Sequence, residues 1–176
     1  TIRDLLTHAS GLANTGTPRT ESTLGELVMS YSKTPLNFEP GSKWSYSNAG
    51  INTLGRIVEV VSGIPFAQFL QQRVLDPCGM KDTTFWPTPA QAKRVAKSYR
   101  PDTKGELQQV EISFLAGGIS NRKRTPYPAG GLYSTADDVT SFYQMMLNGG
   151  TLNGNRVLKK GTVALMIRTQ SGEIKT

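Results

Sequence analysis

The sequence predicts a mainly helical fold interrupted by small β-hairpins. Capping boxes begin at Thr1 and Thr23, where Asp or Glu follows three residues later, and apolar residues continue from each at helical spacing. The dipeptide Asn153-Gly154 favours a two-residue β-turn and predicts a hairpin. The 18 Gly and 10 Pro, spread along the chain, indicate many turns.

The N-terminal half is predicted to hold four helices. Glycine or proline follows the first three, and both residue types end helices, since glycine takes the left-handed conformation and proline lacks an N–H group. In chain order the helices run from 1 to about 10–11, from 23 to before Pro35, from 48 to 63, and from about 65 to 75.

The C-terminal half is predicted to combine helices with hairpins. Its strongest helix is expected to begin at Ser134 as the N-cap, because Asp137 follows three residues later. This helix is expected to turn the following side chains inward: Val139, Phe142, Tyr143, Met146 and Leu147. The other elements are a short helix at 90–96, a hairpin within 98–114, a hairpin at 152–157 and a last helix at 160–169.

The net charge of +7 does not indicate a nucleic-acid partner. The basic residues are scattered, apart from 122–124 and 159–160, and this distribution is typical of a solvated surface. Nucleic-acid binding would require a basic stripe or a recognised motif, and the sequence has neither. No run of about 18 apolar residues occurs, so no transmembrane segment is predicted.

Metal, phosphate and disulfide chemistry have little support in this sequence. The chain has 1 His and 1 Cys, which excludes an internal disulfide and leaves no paired spacing of metal ligands. No phosphate-binding G-x-x-x-x-G-K-[ST] motif occurs. We therefore predict no metal and no cofactor, and we expect Cys78 to be a packed thiol in an apolar turn.

Signals for a serine nucleophile are weak when taken alone. The S-x-x-K pattern occurs at 30–33 and 120–123, about as often as chance predicts for this composition. Ser30 falls near the end of a predicted helix and Ser120 in a polar loop, so neither is expected to be a nucleophile. The lone histidine, His8, is expected to bond the last carbonyls of the first helix rather than to complete a Ser-His-Asp triad.

The segment at 39–50, Glu-Pro-Gly-Ser-Lys-Trp-Ser-Tyr-Ser-Asn-Ala-Gly, is the most informative in the chain. A rigid Pro-Gly turn delivers Tyr46 just before a helix that Ser47 or Asn48 can cap. The positive end of the helix dipole favours negative charge there, and a nearby lysine would add to this effect. From the residues alone, a catalytic Tyr46 and a merely packed Tyr46 remain equally open.

Four segments in order carry a family resemblance. They are 1–12 (Thr-Ile-Arg-Asp-Leu-Leu-Thr-His-Ala-Ser-Gly-Leu), 40–48 (ending Tyr-Ser-Asn), 75–84 (Leu-Asp-Pro-Cys-Gly-Met-Lys-Asp-Thr-Thr) and 128–139 (Pro-Ala-Gly-Gly-Leu-Tyr-Ser-Thr-Ala-Asp-Asp-Val). Together they resemble the serine β-lactamase and penicillin-binding-protein family, which includes class C β-lactamases, D-Ala-D-Ala carboxypeptidases and related esterases. Residues 46–48 are similar to its Y-x-N motif, and Cys78 stands where the family usually has Leu.

The resemblance implies that this chain is the helical insertion region of an α+β fold. The family's S-x-x-K would precede Thr1 and its K-T-G or H-x-G would follow Thr176, so the chain is expected to be a fragment without the nucleophile. The implied reaction is acyl transfer through an acyl-enzyme. Tyr46 would take the serine proton and pass it to the leaving group. Asn48 would hydrogen-bond the lysine or the substrate amide, with Ser47 only as a spacer.

The same resemblance assigns Gly130 and Gly131 to substrate binding. Class C β-lactamases typically have Tyr-Gly at these positions, and loss of the tyrosine would open the pocket. This favours an ester, amide or peptide substrate over a cephalosporin, with self-association through an exposed cleft face as a further expectation. The alternative is a non-catalytic homologue that keeps the fold for binding or assembly. The location is unknown, with a lean toward a periplasmic or secreted bacterial protein.

Overall fold

The part of the chain that the structure describes forms helices joined by turns, with two antiparallel strand pairs, as the sequence predicts. A computed structural model describes residues 1–15, 22–110, 118–172 and 174. The helices are α1 (Ile2–Leu6), α2 (Leu24–Tyr31), α3 (Asn48–Ser62), α4 (Phe66–Leu70), α5 (Asp76–Cys78), α6 (Pro89–Ala92), α7 (Ala136–Leu147) and α8 (Lys160–Met166), with a π-helical turn, Gln71–Leu75, between α4 and α5. In this described part of the chain, no helix is long and apolar enough to cross a membrane.

Both predicted capping boxes are confirmed. Thr1 and Thr23 each accept a hydrogen bond from the backbone N–H three residues later, and the acidic side chain there bonds back. These bonds give acceptors to N–H groups at the helix starts, since the first N–H groups of a helix have no partner within it. The expected end of α3 is also confirmed, with Gly63 in the left-handed conformation at φ 74°.

The predicted end of α1 is wrong. The helix stops at Leu6, and the first left-handed residue after it is His8, with φ 59°, rather than Gly11. Gly11 is also left-handed, at φ 73°, but its role is a close approach, since a side chain there would clash with the carbonyl oxygen of Phe38. The helices α6 and α8 are likewise shorter than predicted.

The start and the inner face of α7 also differ from the prediction. Thr135, not Ser134, is the N-cap, and its hydroxyl accepts from the N–H of Asp138 at 3.2 Å. Met145 is fully buried, and Phe142 and Met146 pack against the same cluster. The other three predicted inward residues are exposed: Val139 by 39%, Tyr143 by 62% and Leu147 by 82%. The helix faces its core with a narrower stripe than its apolar pattern indicates.

The two hairpins lie where the sequence places them. Strands β1 (Ser98–Pro101) and β2 (Leu107–Val110) pair in antiparallel register from Ser98 with Val110 to Pro101 with Leu107. The rest of this predicted hairpin, 111–114, lies outside the described residues. Strands β3 (Thr151–Leu152) and β4 (Asn155–Arg156) are joined by Asn153 and Gly154 at φ 47° and 81°, as a two-residue hairpin turn requires.

Two apolar clusters hold these elements together. The first lies between the α4–α5 segment, α7 and β3, and it contains Leu75, Cys78, Met80, Met145 and Leu152. The second lies between α2 and α3, and it contains Leu24, Leu27, Tyr31 and Ala49. Cys78 is a packed thiol, as predicted, and its burial raises the pKa of the thiol.

Candidate active site

The tyrosine turn, residues 46–48, lies at the start of α3 with its middle residue buried and its outer two exposed. Ser47 is the N-cap, and its hydroxyl accepts from the N–H of Gly50 at 3.0 Å. Of the two caps that the sequence left open, Ser47 and Asn48, the structure has Ser47. Tyr46 is 56% exposed, and Asn48 is also exposed. The cap fixes the backbone and leaves both predicted catalytic side chains at the surface.

Asn14 supplies a second cap to the same helix from a distant part of the chain. Its amide nitrogen donates to the carbonyl oxygen of Tyr46 at 2.9 Å, and its amide oxygen accepts from the N–H of Ala49 at 3.1 Å. The hydroxyl of Ser47 donates to the carbonyl oxygen of Leu12 at 3.1 Å. Hydrogen bonds around Tyr46 thus join the second family-like segment to the first and to Asn14, which directly follows it. The sequence did not indicate this role for Asn14.

His8 contacts the tyrosine turn rather than the end of its own helix. Its Nδ1 accepts a hydrogen bond from the N–H of Ser47 at 3.1 Å, so the prediction that it bonds the last helical carbonyls is wrong. The imidazole centroid lies 4.7 Å from the ring of Tyr46 and 5.9 Å from the ring of Trp44. One signal in the sequence could have indicated this contact. A histidine stands just after the helix end, where a left-handed residue is usually glycine.

The ring of Tyr46 lies against His8, but the side chains of Tyr46 and Asn48 remain exposed. Across the described ranges, no hydrogen bond holds the Tyr46 hydroxyl or the Asn48 amide. Lys43, the nearest lysine in sequence, lies over the ring of Phe38 with its nitrogen 5.0 Å from the centroid. The two groups are therefore free to meet a ligand, and Lys43 is directed to another ring.

Gly130 and Gly131 form a turn that a buried arginine organises. The N–H of Gly130 donates to the carbonyl of Tyr127 at 3.1 Å, and Gly131 is left-handed at φ 89°. The guanidinium of Arg124 donates to the carbonyl of Gly131 at 3.4 Å and to two further carbonyls, those of Phe85 and Ile119. Burial lowers the pKa of Arg124. A Cβ added at position 130 would have no neighbouring atom within 4 Å among the described residues.

The helix α3 joins the glycine turn to the tyrosine turn. Asn52, which is 3% exposed, accepts from the N–H of Ala129 at 3.1 Å and donates to the hydroxyl of Tyr31 at 3.1 Å. One turn further along, Gly55 lies so close to the ring of Pro128 that any side chain would clash with it. Both predicted parts of the site are therefore attached to one helix, at its start and on its buried face.

The third and fourth family-like segments bond to each other and not to the tyrosine turn. A carboxylate oxygen of Asp138 accepts from the N–H of Asp82 at 2.8 Å and from the hydroxyl of Thr83 at 2.7 Å. Thr84 and Tyr133 exchange two backbone hydrogen bonds of 2.9 and 2.8 Å in an isolated bridge. These polar groups are satisfied by one another, which is a structural role.

The two S-x-x-K matches have no arrangement of a nucleophile and base. Ser30 is the next-to-last residue of α2, and its hydroxyl donates to the carbonyl of Leu27 at 2.6 Å. Ser120 is an exposed residue in a loop. Neither lies at the start of a helix.

A cleft of about 770 Å³ opens beside the second half of α3, away from the tyrosine turn. It is bordered by the start of α2 and by the loop at 122–126, and Tyr46 is not among its lining residues. Within the ranges that the structure describes, no three acidic, His or Cys side chains are grouped as a metal site. We take the tyrosine turn as the candidate site, since an exposed phenol can transfer a proton and an exposed side-chain amide can hydrogen-bond a substrate.

The chain belongs to the beta-lactamase family. The family model matches residues 1–175, and this agrees with the resemblance carried by the four segments. Structural comparison supports the same fold: EstCE1, a hydrolase with promiscuous acyltransferase activity, superimposes with a TM-score of 0.77 at 25% identity. That match covers 97% of this chain and 50% of EstCE1.

Two curated relatives are similar to nearly the whole of this chain. Protein Rv1367c of Mycobacterium tuberculosis is 34% identical over 94% of this chain and 43% of its own length. Lovastatin esterase of Penicillium rubens is 30% identical over 98% of this chain and 45% of its own length. The chain thus spans less than half the length of these relatives, and its similarity extends to named hydrolases.

Proposed function

We propose that this chain forms part of a serine hydrolase in which Tyr46 transfers the proton of an acyl-transfer reaction. The observation that carries the proposal is the tyrosine turn itself. Its backbone is held by Ser47, Asn14 and His8, while the phenol and the Asn48 amide face solvent. Rigid support under an exposed, proton-carrying side chain is what a positioned general base requires.

The chemistry assigned to these residues is proton transfer and orientation. A serine oxygen attacks the substrate carbonyl, and the phenolate form of Tyr46 takes the proton that the serine loses. Tyr46 then gives this proton to the departing oxygen or nitrogen when the bond to the carbonyl carbon breaks. Water releases the acyl group in the second half of the reaction. Asn48 orients the substrate amide or the catalytic lysine through its own amide.

We propose esters and small amides as the substrate class. Gly130 leaves open space where a tyrosine would face a bound β-lactam, and the glycine turn is fixed in that open form by Arg124 and Asn52. The activities for which two relatives are named, a lovastatin esterase and a hydrolase with promiscuous acyltransferase activity, favour the same class. An open glycine turn leaves room for varied acyl groups and would discriminate little among them.

The test is a comparison of hydrolysis by matched tyrosine variants. The full coding sequence that contains this chain is expressed, and p-nitrophenyl butyrate, nitrocefin and a D-Ala-D-Ala peptide are supplied as substrates. Tyr46→Phe is expected to lower kcat for the ester by about 10²–10⁴-fold, the usual contribution of a general base. The control is Tyr143→Phe, whose ring is 62% exposed on α7. Equal rates for both variants would rule out the role of Tyr46.

The 176-residue chain alone is proposed to catalyse nothing. Ser30 donates its hydroxyl hydrogen to the carbonyl of Leu27 in its own helix, which does not activate the oxygen as a nucleophile. A fluorophosphonate probe and a fluorescent penicillin should therefore leave the intact mass of the chain unchanged. An adduct on Ser30 or Ser120 would contradict this. A full-length protein that forms no adduct with either probe would favour the non-catalytic alternative.

We also propose that the chain self-associates through the face that carries Tyr46. Its α1 end and the segment before α3 expose apolar side chains: Ile2 by 57%, Leu6 by 61%, Trp44 by 39% and Tyr46 by 56%. Exposed apolar groups close together in a small protein favour association with a second copy. Sedimentation velocity should show a concentration-dependent dimer that Leu6→Glu weakens. A concentration-independent monomer would contradict the proposal.

A further inference from the structure

We propose that His8 is a positioning residue for Tyr46. The catalytic meaning of this inference rests on the proposed function, whereas its geometry does not. His8 anchors the residues on both sides of Tyr46: its carbonyl oxygen accepts from the N–H of Ser45 at 2.8 Å, and its Nδ1 accepts from the N–H of Ser47 at 3.1 Å. Its ring also lies 4.7 Å from the phenol ring, tilted by 39°. One residue thus fixes the backbone and the ring together.

The backbone conformation of His8 argues that its side chain is required there. Its φ of 59° lies in the left-handed region, which residues with a Cβ adopt less readily than glycine, although His and Asn are found there more often than most. Other left-handed positions of this region are glycine, at Gly11 and Gly41. A histidine held in such a conformation points to a purpose for its imidazole, because glycine would occupy the position without strain.

The direction of the hydrogen bond fixes the form of the ring. A backbone N–H can only donate, so Nδ1 of His8 must be the acceptor, and the proton of the neutral ring lies on Nε2. The chain has 1 His, so a long-range ¹H–¹⁵N spectrum contains a single imidazole and needs no assignment. At alkaline pH it should show the Nε2–H tautomer. The Nδ1–H tautomer would overturn the proposal.

Two variants separate the acceptor from the backbone strain. Asn places an oxygen near the position of Nδ1 and tolerates positive φ, while Gly tolerates positive φ without offering an acceptor. Hydrogen exchange of the Ser47 amide in the 176-residue chain is the readout. We expect His8→Gly to speed this exchange by at least about tenfold and His8→Asn to keep it within about threefold of the wild type. The amide of Met145, in the other apolar cluster, reports any global loss of stability.

The kinetic readout uses the full coding sequence and an ester substrate. His8→Gly should lower kcat by about 10–100-fold with KM within about twofold, since a displaced catalytic group loses rate rather than binding, and His8→Asn should recover most of the rate. An unchanged kcat in His8→Gly, with the Ser47 amide released, would overturn the proposal. If the wild type hydrolyses nothing but Ser47 protection depends on His8, the positioning is supported and the proposed function fails instead.

Discussion

Two pairs of segments in this molecule are each joined by side-chain hydrogen bonds, but one junction is buried and the other leaves side chains exposed. We call segments 80–84 and 133–138 the buried motif pair. Asp138, which is 8% exposed, joins these two segments through its carboxylate. In the exposed motif pair, 8–14 with 45–49, His8 and Asn14 hold a turn whose central side chain is buried and whose outer ones face solvent. In the first pair the joining carboxylate is buried against Asp82 and Thr83, whereas in the second the side chains of Tyr46 and Asn48 remain exposed.

The difference separates scaffold from site among segments that look equally important in the sequence. A polar side chain whose bonds all end inside the protein contributes stability, and its loss leaves buried groups without partners. A polar side chain that is exposed contributes little to stability, even where hydrogen bonds fix its backbone. Such a side chain remains available to a ligand. The following variants test this division, in order of the expected change in the free energy of unfolding.

The largest loss is expected for Asp138→Ala. The substitution leaves the N–H of Asp82 and the hydroxyl of Thr83 without their shared acceptor, at a cost of about 2–4 kcal/mol. Urea denaturation of the chain measures this. Asp137→Ala is the matched control, an exposed neighbour in the same helical turn that should change stability by less than about 1 kcal/mol. Similar losses for both variants would show that the buried motif pair is not a special anchor.

A smaller loss, and one that depends on pH, is expected for Tyr31→Phe. The phenol accepts from Asn52, and leaving that buried amide unpaired should cost about 1–2 kcal/mol at neutral pH. Burial raises the pKa of Tyr31 above its usual value of about 10. The folded state therefore resists ionisation, and its stabilisation is present below about pH 10 and is lost as the pH rises through the native pKa.

Alkaline denaturation curves distinguish these two effects of Tyr31. Stability of the wild type should fall more steeply above about pH 10 than that of Tyr31→Phe, because the variant has no phenol to ionise on unfolding. The control is Tyr99→Phe, whose ring is 53% exposed on β1. Identical alkaline slopes for the wild type and Tyr31→Phe would contradict the assignment of the raised pKa to burial.

Asn14→Ala should cost about 1 kcal/mol, the usual value of a lost helix cap. The substitution removes an acceptor from the N–H of Ala49, which is partly buried, and a donor from the exposed carbonyl of Tyr46. Asn14→Asp is the informative companion, because it keeps the acceptor beside the helix start and loses only the donor. Thermal unfolding should rank the wild type and Asp variant close together, with Ala below; the reverse order would reject Asn14 as a cap.

The smallest change is expected for Tyr46→Phe. Its hydroxyl has no hydrogen-bond partner in the described ranges, and its ring is 56% exposed, so stability should change by less than about 0.5 kcal/mol. Denaturation of the chain gives this value directly, and the kinetic assay of the same variant gives the catalytic one. A loss above about 1.5 kcal/mol would mean that the phenol serves the fold.

Local signals in the sequence located most elements correctly. The capping boxes at Thr1 and Thr23 and the Asn153-Gly154 turn depend on residues within four positions of one another, and all three are present. The tyrosine turn was placed at the start of its helix for the same reason. Its Ser47 cap was one of two alternatives that the local pattern left open.

The errors came from contacts between distant parts of the chain. Ser134 was predicted as a cap, but its hydroxyl lies 2.7 Å from that of Thr83, and Thr135 takes its place. His8 and Asn14 bond to residues more than 30 positions away, and no periodicity or capping rule contains such a distance. The inward face of α7 was predicted too wide, because apolar spacing does not say which neighbour will cover it.

The close approach of α3 and the glycine turn has a consequence for motion. Gly55 meets the ring of Pro128 without a side chain between them, and Asn52 bonds the adjoining backbone. A tightly packed contact of this kind transmits displacement instead of absorbing it. A shift of α3 therefore moves the turn at 128–131 with it, so the tyrosine turn at the start of the helix and the glycine turn keep their relative positions.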